Sequence, residues 1–437
     1  MNVWLYPFLI ALLVFTPLSH ANEPDALLEI TVSADTSISI ARFGNSGQRV
    51  LWLPSEQGLD SSKAYPLAQR MAAQGMEIWL ADLHASYFII PGRTSLDDIP
   101  AAAIADLIQQ SLPDAPQQLF LLTSGRGAAL GLNGLQHWQN AHPTDKRFGG
   151  AVLLHPNLIA GIPEPGKPDE WLPIATQTQT LLFVVQPEKS GRRWYLGELL
   201  DTLETGGSRV YATLIKGAGD GYLTRPERSA AEIKQADAFP VLLRHALNIL
   251  SKTEGKTSTV TAQTPLPKPS TPSAEAQASV PKTGLQPFPG EKRAPELRLT
   301  ATDGNTYDLK DYRGKVVLLN FWATWCPPCV EEIPSLGRLQ QRFSPDDFSV
   351  VSVDIGETAM DVEAFLKIVK ADYPVLLDSQ GSAVKTWGLR AFPTTFVLDR
   401  DGYVRLGYFG GLTWDDDSVI TTLTEHMKIT PLPTPSP

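Results

Sequence analysis

Two cysteines, Cys326 and Cys329, are the residues best suited to covalent chemistry in this sequence, and two prolines separate them. The apolar run Val316–Trp322 precedes them, and a helical pattern of apolar residues extends from Val330 to Phe343. Cys326 is therefore expected where a buried strand leads into the N-terminus of a helix. The unpaired N–H groups and positive dipole end of a helix stabilise a thiolate at that position. The pattern predicts a redox-active pair in which Cys326 attacks and the more buried Cys329 resolves.

Two other interpretations of the cysteine pair are a zinc half-site and an inert disulfide. Zinc in proteins takes about four ligands. The region around the pair offers no further cysteine and a single histidine, His426. We therefore expect no metal and no cofactor other than the Cys326–Cys329 disulfide itself. An inert disulfide is the alternative that the spacing leaves open.

The overall charge limits the kinds of partner. The chain has 437 residues, 43% of them apolar, and a formal net charge of −10. Binding to nucleic acid depends on clustered cations, so this balance argues against a nucleic-acid partner. We expect proteins or small molecules as partners.

The first residues have the pattern of a secretory signal peptide. An apolar run from Trp4 to Leu18 ends in Ser19-His20-Ala21, which has the small-x-small form that signal peptidase accepts. Residues 1–21 are therefore predicted to direct the chain to the periplasm and to be removed. The segment before the apolar run lacks Lys and Arg, so an uncleaved membrane anchor is the alternative.

Composition divides the rest of the chain into two globular units. The predicted boundaries are a first unit at 22–252, a Pro/Thr/Ser-rich disordered linker at 253–290, a second unit at 291–428 and a disordered tail at 429–437. The linker includes Thr264-Pro-Leu-Pro-Lys-Pro-Ser-Thr-Pro, which cannot bury enough apolar surface to fold. Both units alternate short apolar runs with helical patterns, which predicts α/β architecture with mostly parallel strands. In the first unit six such runs extend from Val50–Leu53 to Val210–Ile215.

The second unit resembles the periplasmic membrane-linked thioredoxins of the TlpA type. The motifs that carry the resemblance are Phe321-Trp-Ala-Thr-Trp-Cys-Pro-Pro-Cys329, Asp308-Leu-Lys-Asp-Tyr-Arg-Gly-Lys-Val316, Val353-Asp-Ile-Gly-Glu-Thr358 and Phe392-Pro-Thr-Thr-Phe396. The resemblance implies a thioredoxin fold and thiol–disulfide oxidoreductase activity, with disulfide-containing client proteins as substrates. It also implies re-reduction by a membrane thiol–disulfide transporter.

The same resemblance implies roles for residues outside the cysteine pair. Pro393 matches a cis-proline that faces the cysteines, and the adjoining Phe392 and Thr394 would contact the client. Apart from the resemblance, Trp325 is expected to shield the sulfurs and help form the docking surface, with a core position as its alternative, whereas Trp322 is expected in the core. The assignments of Pro393, Phe392, Thr394 and Trp325 place a client-binding surface beside Cys326.

Glu357 matches an acidic residue that the family holds in the cavity beside the cysteines. Ordinary thioredoxins carry a buried Asp in the active strand, but this chain has Asn320 there. Since Asn cannot titrate, Glu357 is expected to take over proton transfer to and from the sulfurs. The alternative for Glu357 is an exposed loop carboxylate.

The first unit resembles an α/β-hydrolase in which the catalytic residues are missing. The nucleophile elbow of that fold is a strand, G-x-S-x-G and a helix. Here Thr123-Ser-Gly-Arg-Gly127 puts Gly125 at the nucleophile position, and Asp220 stands where the catalytic histidine would be. We therefore expect a degenerate hydrolase fold that binds rather than hydrolyses. Ser124 as nucleophile in a shifted register, with His155 as its base, is the alternative.

Three functions therefore follow from the sequence. The first is a periplasmic thiol–disulfide oxidoreductase that reduces client proteins. The second is an envelope binding or scaffold protein whose redox unit is accessory. The third is a serine esterase fused to a redox domain.

Overall fold

The computed structural model describes residues 23–114, 117–161, 170–253 and 284–432. The predicted signal peptide at 1–21 lies outside the described residues, as do most of the predicted linker and the last five residues. Within the described ranges, none of the helices has the length and apolar character needed to cross a membrane.

The first domain contains an eight-stranded sheet in the order β1-β2-β4-β3-β5-β6-β7-β8. Its strands are β1 (Ala26–Ser33), β2 (Thr36–Phe43), β3 (Gln48–Leu53), β4 (Met76–Asp82), β5 (Leu119–Ser124), β6 (Phe148–Leu154), β7 (Leu181–Lys189) and β8 (Arg209–Gly219). Strands β3 to β8 are parallel, and β1 and β2 add an antiparallel edge. The six apolar runs recognised in the sequence fall within β3 to β8. The β1–β2 hairpin was not among them, because β1 alternates exposed and buried residues at the sheet edge.

Helices cover both faces of this sheet and enclose two apolar cores. They are α1 (Ser61–Ala72), α2 (Leu83–Ser86), α3 (Ala101–Ser111), α4 (Gly127–Ala141), α5 (Pro173–Gln177), α6 (Leu196–Thr205) and α7 (Ala230–Lys252). Residues from α3, α4 and α6 fill one core, and residues from α1 and α7 fill the other. Because helices bury both faces, the parallel strands consist of nearly continuous apolar residues.

The second domain also contains an eight-stranded sheet, in the order β11-β10-β14-β13-β12-β15-β16-β9. Its strands are β9 (Gln286–Arg293), β10 (Arg298–Ala301), β11 (Thr306–Asp308), β12 (Val316–Trp322), β13 (Phe348–Ile355), β14 (Val375–Asp378), β15 (Thr394–Leu398) and β16 (Tyr403–Phe409). Its helices are α8 (Pro327–Gln340), α9 (Ala359–Leu366), α10 (Ser382–Thr386) and α11 (Asp417–Met427). Strands β12, β13 and β14 are parallel, and β15 runs antiparallel to β12.

The predicted boundaries of the second domain need two corrections. Residues 286–290, assigned to the linker, belong to β9, the edge strand of the sheet, which pairs with β16. Pro287 and Pro289 fit there because an edge strand does not need every N–H for pairing. Phe288 anchors the strand by packing on Phe396 in the core. At the other end, Ile429 is buried and Pro431 pairs with Phe343, so the folded domain extends beyond residue 428.

Candidate functional site

The central strand β12 places the cysteine pair. All seven of its residues are buried, and it lies between β13 and β15 in the middle of the sheet. It ends at Trp322, which is 1% exposed and lies in the core as expected. The loop Ala323–Trp325 then leads directly to Cys326, the residue that caps the N-terminus of α8.

Cys326 and Cys329 form a disulfide, with their Cα atoms 5.3 Å apart. The Cys329 N–H donates a 3.0 Å hydrogen bond to the Cys326 carbonyl, so the pair spans the first turn of α8. Cys329 is fully buried, whereas Cys326 keeps 5% of its surface exposed. Pro327 and Pro328 are compatible with this turn because the first N–H groups of a helix have no partner within the helix. The geometry makes Cys326 the sulfur nearer to solvent.

The residues predicted to contact a client are found together beside the pair. The Phe392–Pro393 bond is cis, and the ring of Phe392 meets that of Trp325 edge to face at 5.9 Å. Thr394 begins β15 and is fully buried. Its hydroxyl donates to the Ala391 carbonyl at 2.8 Å, which holds the loop closed rather than facing a client. Trp325 and Phe392 therefore supply the aromatic surface next to Cys326.

Glu357 lies directly against the cysteine loop. Its carboxylate accepts hydrogen bonds from the backbone N–H and the hydroxyl of Thr324, each at 2.6 Å. Thr324 lies two residues before Cys326, and Glu357 is half-buried. Glu357 is thus a hydrogen-bonded carboxylate that holds the loop preceding Cys326, and it is not a free side chain on an exposed loop.

A second acid, Asp354, lies near Glu357 and was not identified from the sequence. It is fully buried on β13, where it pairs in register with Trp322. Neither of its carboxylate oxygens has a hydrogen-bond partner among the described residues. Burial and then the negative charge of Glu357 raise the pKa of Asp354 well above its ordinary value. Asp354 therefore holds its proton at neutral pH.

A third acid, Glu332, was also missed. It lies on α8 three residues after Cys329, so the two side chains share a helix face. Its carboxylate accepts hydrogen bonds from the side-chain amide of Asn320 at 2.8 Å, the indole of Trp414 at 2.9 Å and the Leu412 N–H at 3.3 Å. Glu332 is 2% exposed, and burial raises its pKa to about 7 despite these donors. The spacing from Cys329, combined with Asn320 in the strand, is the signal that could have found it.

In the first domain, we located the residues that the hydrolase resemblance singled out. Gly125 stands between β5 and α4 with φ +55°, as a residue at a sharp strand-to-helix turn does. The Glu56 carboxylate lies against it and accepts a 2.8 Å hydrogen bond from the Arg126 N–H at the start of α4. A Cβ atom on Gly125 would collide with that carboxylate. Glu56 therefore occupies the space that a nucleophilic side chain would need.

The other three residues singled out, Asp220, Ser124 and His155, do not form a catalytic triad. Asp220 forms an ion pair with Arg192, with 2.8 Å between the Arg192 Nη1 and an Asp220 oxygen. Ser124 and His155 both line a cavity of about 50 Å³. No hydrogen bond joins these two side chains in the part of the chain that the structure covers, and burial lowers the pKa of His155. Across the same described ranges, no cluster of three or more His, Cys, Asp or Glu side chains could hold a metal ion.

The second domain has the arrangement of a thioredoxin-fold dithiol site. A central strand leads to a disulfide at the N-terminus of a helix, and a loop with a cis-proline lies beside it. This combination defines the class of thiol–disulfide oxidoreductases.

Comparison with known proteins gives the same class. Residues 289–423 match the Redoxin family. The chain is 35% identical over 123 residues to the thiol-disulfide oxidoreductase ResA of Geobacillus thermodenitrificans, covering 28% of this chain and 71% of that protein. It is 38% identical over 113 residues to ResA of Bacillus thuringiensis subsp. konkukian, covering 26% of this chain and 65% of the relative. Through this domain the chain belongs to the Redoxin family of thiol–disulfide oxidoreductases.

Part of the chain is also similar to solved structures. The crystal structure of a putative thiol:disulfide interchange protein DsbE from Chlorobium tepidum is 31% identical, with a TM-score of 0.30. The match covers 31% of this chain and 96% of that chain.

Proposed function

We propose that the protein is a periplasmic thiol–disulfide oxidoreductase that reduces disulfides in client proteins. The observation that carries the proposal is the position of the Cys326–Cys329 disulfide at the start of α8, with Trp325 and Phe392 on one side and Glu357 bound to the preceding loop. An inert disulfide would have no need of an aromatic surface beside it or of buried acids near it. Perturbed acids next to a nucleophile are typical of functional sites.

The reaction begins with the reduced pair. The Cys326 thiolate attacks one sulfur of a client disulfide, forming a Cys326–client disulfide and releasing the other client sulfur as a thiolate. The Cys329 thiolate then attacks Cys326, which restores the Cys326–Cys329 bond and releases the second client sulfur. Two electrons pass from the pair to the client, and the two released thiolates take up two protons.

Buried acids would donate and accept the protons that the two cysteines exchange during the reaction. Cys329 must lose its proton before it can attack, and it is fully buried. Glu332 shares its helix face and has a pKa of about 7, close to the working pH at which proton transfer in both directions is efficient. Glu357 and the protonated Asp354 lie on the side of the Cys326 loop and would serve the attacking sulfur.

The proposal includes the source of electrons and the location. Reducing a client leaves the pair oxidised, so each cycle needs a reductant. A membrane thiol–disulfide transporter is the reductant that the TlpA-type resemblance implies. The signal-peptide pattern of residues 1–21 supports a periplasmic location.

We further propose that the first domain has an α/β-hydrolase-like fold that binds but does not hydrolyse. Support comes from its parallel sheet with an antiparallel edge and from the strand β5, Gly125 and helix α4 arrangement of an elbow. The Glu56 carboxylate beside Gly125 and the Arg192–Asp220 ion pair argue against hydrolysis. A domain that captures clients would raise their concentration near Cys326.

Trapping of clients tests the redox function. In a Cys329→Ala variant the Cys326–client disulfide cannot be resolved, so natural clients should remain attached and be identifiable after denaturation. The matched control is the double variant Cys326→Ala/Cys329→Ala, which should hold none. If the double variant retains the same proteins without a disulfide, the chain is a binding protein with an accessory redox domain. If neither variant retains a protein, client reduction is wrong.

A further inference from the structure

A five-residue 3₁₀ segment of the first domain, Gly191–Tyr195, reaches into the second domain. We call it the docking segment. The Tyr195 side chain is 4% exposed and belongs to an apolar cluster otherwise made of second-domain residues. Its hydroxyl donates a 2.6 Å hydrogen bond to the Val384 carbonyl of α10. A large aromatic side chain buried with its hydroxyl paired is the kind of anchor that dominates protein interfaces.

Trp194 and Gly191 extend the contact. The indole of Trp194 packs against the backbone at Gly356 and Gly381, where an added Cβ would come within 2.9 Å and 2.6 Å of the ring. Gly191 approaches the Arg390 carbonyl, which would lie 3.0 Å from an added Cβ. The Arg390 guanidinium in turn stacks on Tyr195, 3.2 Å from the ring centre. These close approaches indicate a closely packed interface between the two domains and not a transient contact.

The second-domain residues in this interface adjoin the redox site. Gly356 immediately precedes Glu357, which binds Thr324 beside the cysteines. Arg390 lies two residues before Phe392, which packs on Trp325. The docking segment therefore touches both loops that flank the disulfide.

The docking segment is itself fixed to the first domain. The Ser190 hydroxyl accepts a hydrogen bond from the Arg192 N–H at 3.2 Å and caps its start. Arg192 forms the 2.8 Å ion pair with Asp220, which directly follows β8. Because the docking segment is bonded to the first domain and inserted into the second, it can hold the second-domain loops that it contacts in place.

We propose that the docking segment positions the Glu357 loop and the 390–393 loop beside Cys326, which makes the first domain a structural part of the redox site. Tyr195, Trp194 and Gly191 are positioning residues in this arrangement, since none of them touches the sulfurs. The consequence for reduction rests on the proposed function, whereas the docking itself does not.

Two mild substitutions in the full chain test the proposal. Tyr195→Phe removes the hydroxyl that bonds Val384, and Gly191→Ala pushes against the Arg390 carbonyl. Matched controls in the same domain are Tyr211→Phe, whose hydroxyl bonds Thr253 at 3.1 Å, and Gly197→Ala, where an added Cβ meets no atom within 4 Å. Loss of one buried hydrogen bond should weaken the docking about fivefold.

Three measurements compare these variants. The first is the pH profile of Cys326 alkylation in the reduced protein, the second is the rate of reduction of a small disulfide, and the third is co-elution of the two halves after cleavage at a protease site inserted within residues 254–283. We expect the wild-type halves and both controls to co-elute, and the docking variants to separate more readily. We also expect the docking variants to shift the alkylation profile and slow the reduction several-fold.

Two results would overturn the inference. One is separation of the wild-type halves on cleavage, which would mean that the domains are not docked. The other is co-elution together with identical alkylation profiles in docking and control variants, which would mean docking without positioning. Failure of the proposed function has a different outcome: the wild type would reduce no disulfide, while the alkylation comparison still decides the inference.

Discussion

The side-chain amide of Asn320 donates a 2.8 Å hydrogen bond to the carboxylate of Glu332, joining the central strand β12 to the active-site helix α8. Asn320 occupies the position at which ordinary thioredoxins have a titratable Asp, and it cannot take part in proton transfer itself. The titratable group nearest this position is the hydrogen-bonded Glu332, which lies three residues after Cys329. Burial brings the pKa of Glu332 to about 7.

This raised pKa makes a prediction about stability. Glu332 keeps its proton in the folded protein up to about pH 7, whereas in the unfolded chain it loses it near its ordinary pKa of 4.5. The folded state therefore binds more protons between these values, and the free energy of unfolding should fall as pH rises from about 4.5 to about 7, by up to about 3 kcal/mol. In a Glu332→Gln variant this contribution should disappear, whereas the fall caused by Asp354, whose pKa is also raised, should remain.

Urea unfolding of the oxidised protein at pH 5 and pH 8 measures the difference. Gln can accept from Trp414 and Leu412, and Asn320 can turn its unpaired oxygen toward the new amide, so the variant should fold. Glu331→Gln, on the exposed side of α8, is the matched control and should behave as the wild type. Equal pH dependence in all three proteins would show that Glu332 is ionised throughout this range.

In the reduced protein, Cys326 should have a lower thiol pKa than Cys329. Cys326 stands at the N-terminal cap of α8, where the helix dipole favours the thiolate, whereas Cys329 is fully buried one turn on. Iodoacetamide alkylation between pH 4 and pH 10, followed by peptide mapping, gives both values. Modification of Cys329 before Cys326 at low pH would reverse the roles of attacking and resolving thiol.

The strand, the cysteines and the helix of the redox site were predicted from local sequence patterns, and the cis-proline loop was predicted from the TlpA-type resemblance. Glu332 was missed because its partners Leu412 and Trp414 lie about 80 residues away, and locally it is one of two adjacent glutamates on an amphipathic helix. Asp354 was missed for the same reason, because it is buried by the strands β12 and β14 on either side of β13.

Contacts between the two domains are even harder to predict from the sequence than these buried acids. Trp194 and Tyr195 belong to no sequence motif that predicts a contact with the second domain, and the Pro-rich linker suggests independent domains. The burial of Tyr195 against α10 depends on the relative placement of two folded units. No periodicity or local motif encodes that placement.

Replacing Glu357 by Gln should shift the pH–rate profile for disulfide reduction and leave the fold intact. The amide can still accept from the Thr324 N–H, but the negative charge beside Asp354 is removed. Because that charge helps to raise the pKa of Asp354, the pKa of Asp354 should fall and the alkaline limb of the profile should move to lower pH. Stopped-flow reduction of a small disulfide from pH 5 to pH 10 tests this. Glu363→Gln on the exposed face of α9 is the control, and a profile shared by both variants and the wild type would limit Glu357 to a structural role.

The first domain should not react with a fluorophosphonate probe, either in the wild type or after Gly125→Ser. Gly125 offers no nucleophile, and a serine side chain placed there would meet the Glu56 carboxylate, which is held by the Arg126 N–H. A serine also needs an imidazole to take its proton, and the position of that base holds Asp220, paired with Arg192. Mass spectrometry after labelling is the measurement, with an active serine esterase as the positive control. Labelling of the wild type at Ser124 would contradict the binding role and favour the esterase, with His155 as the base across the shared cavity. Labelling confined to Gly125→Ser would mean that Glu56 can leave the elbow, and that loss of the nucleophile by itself silenced an otherwise competent site.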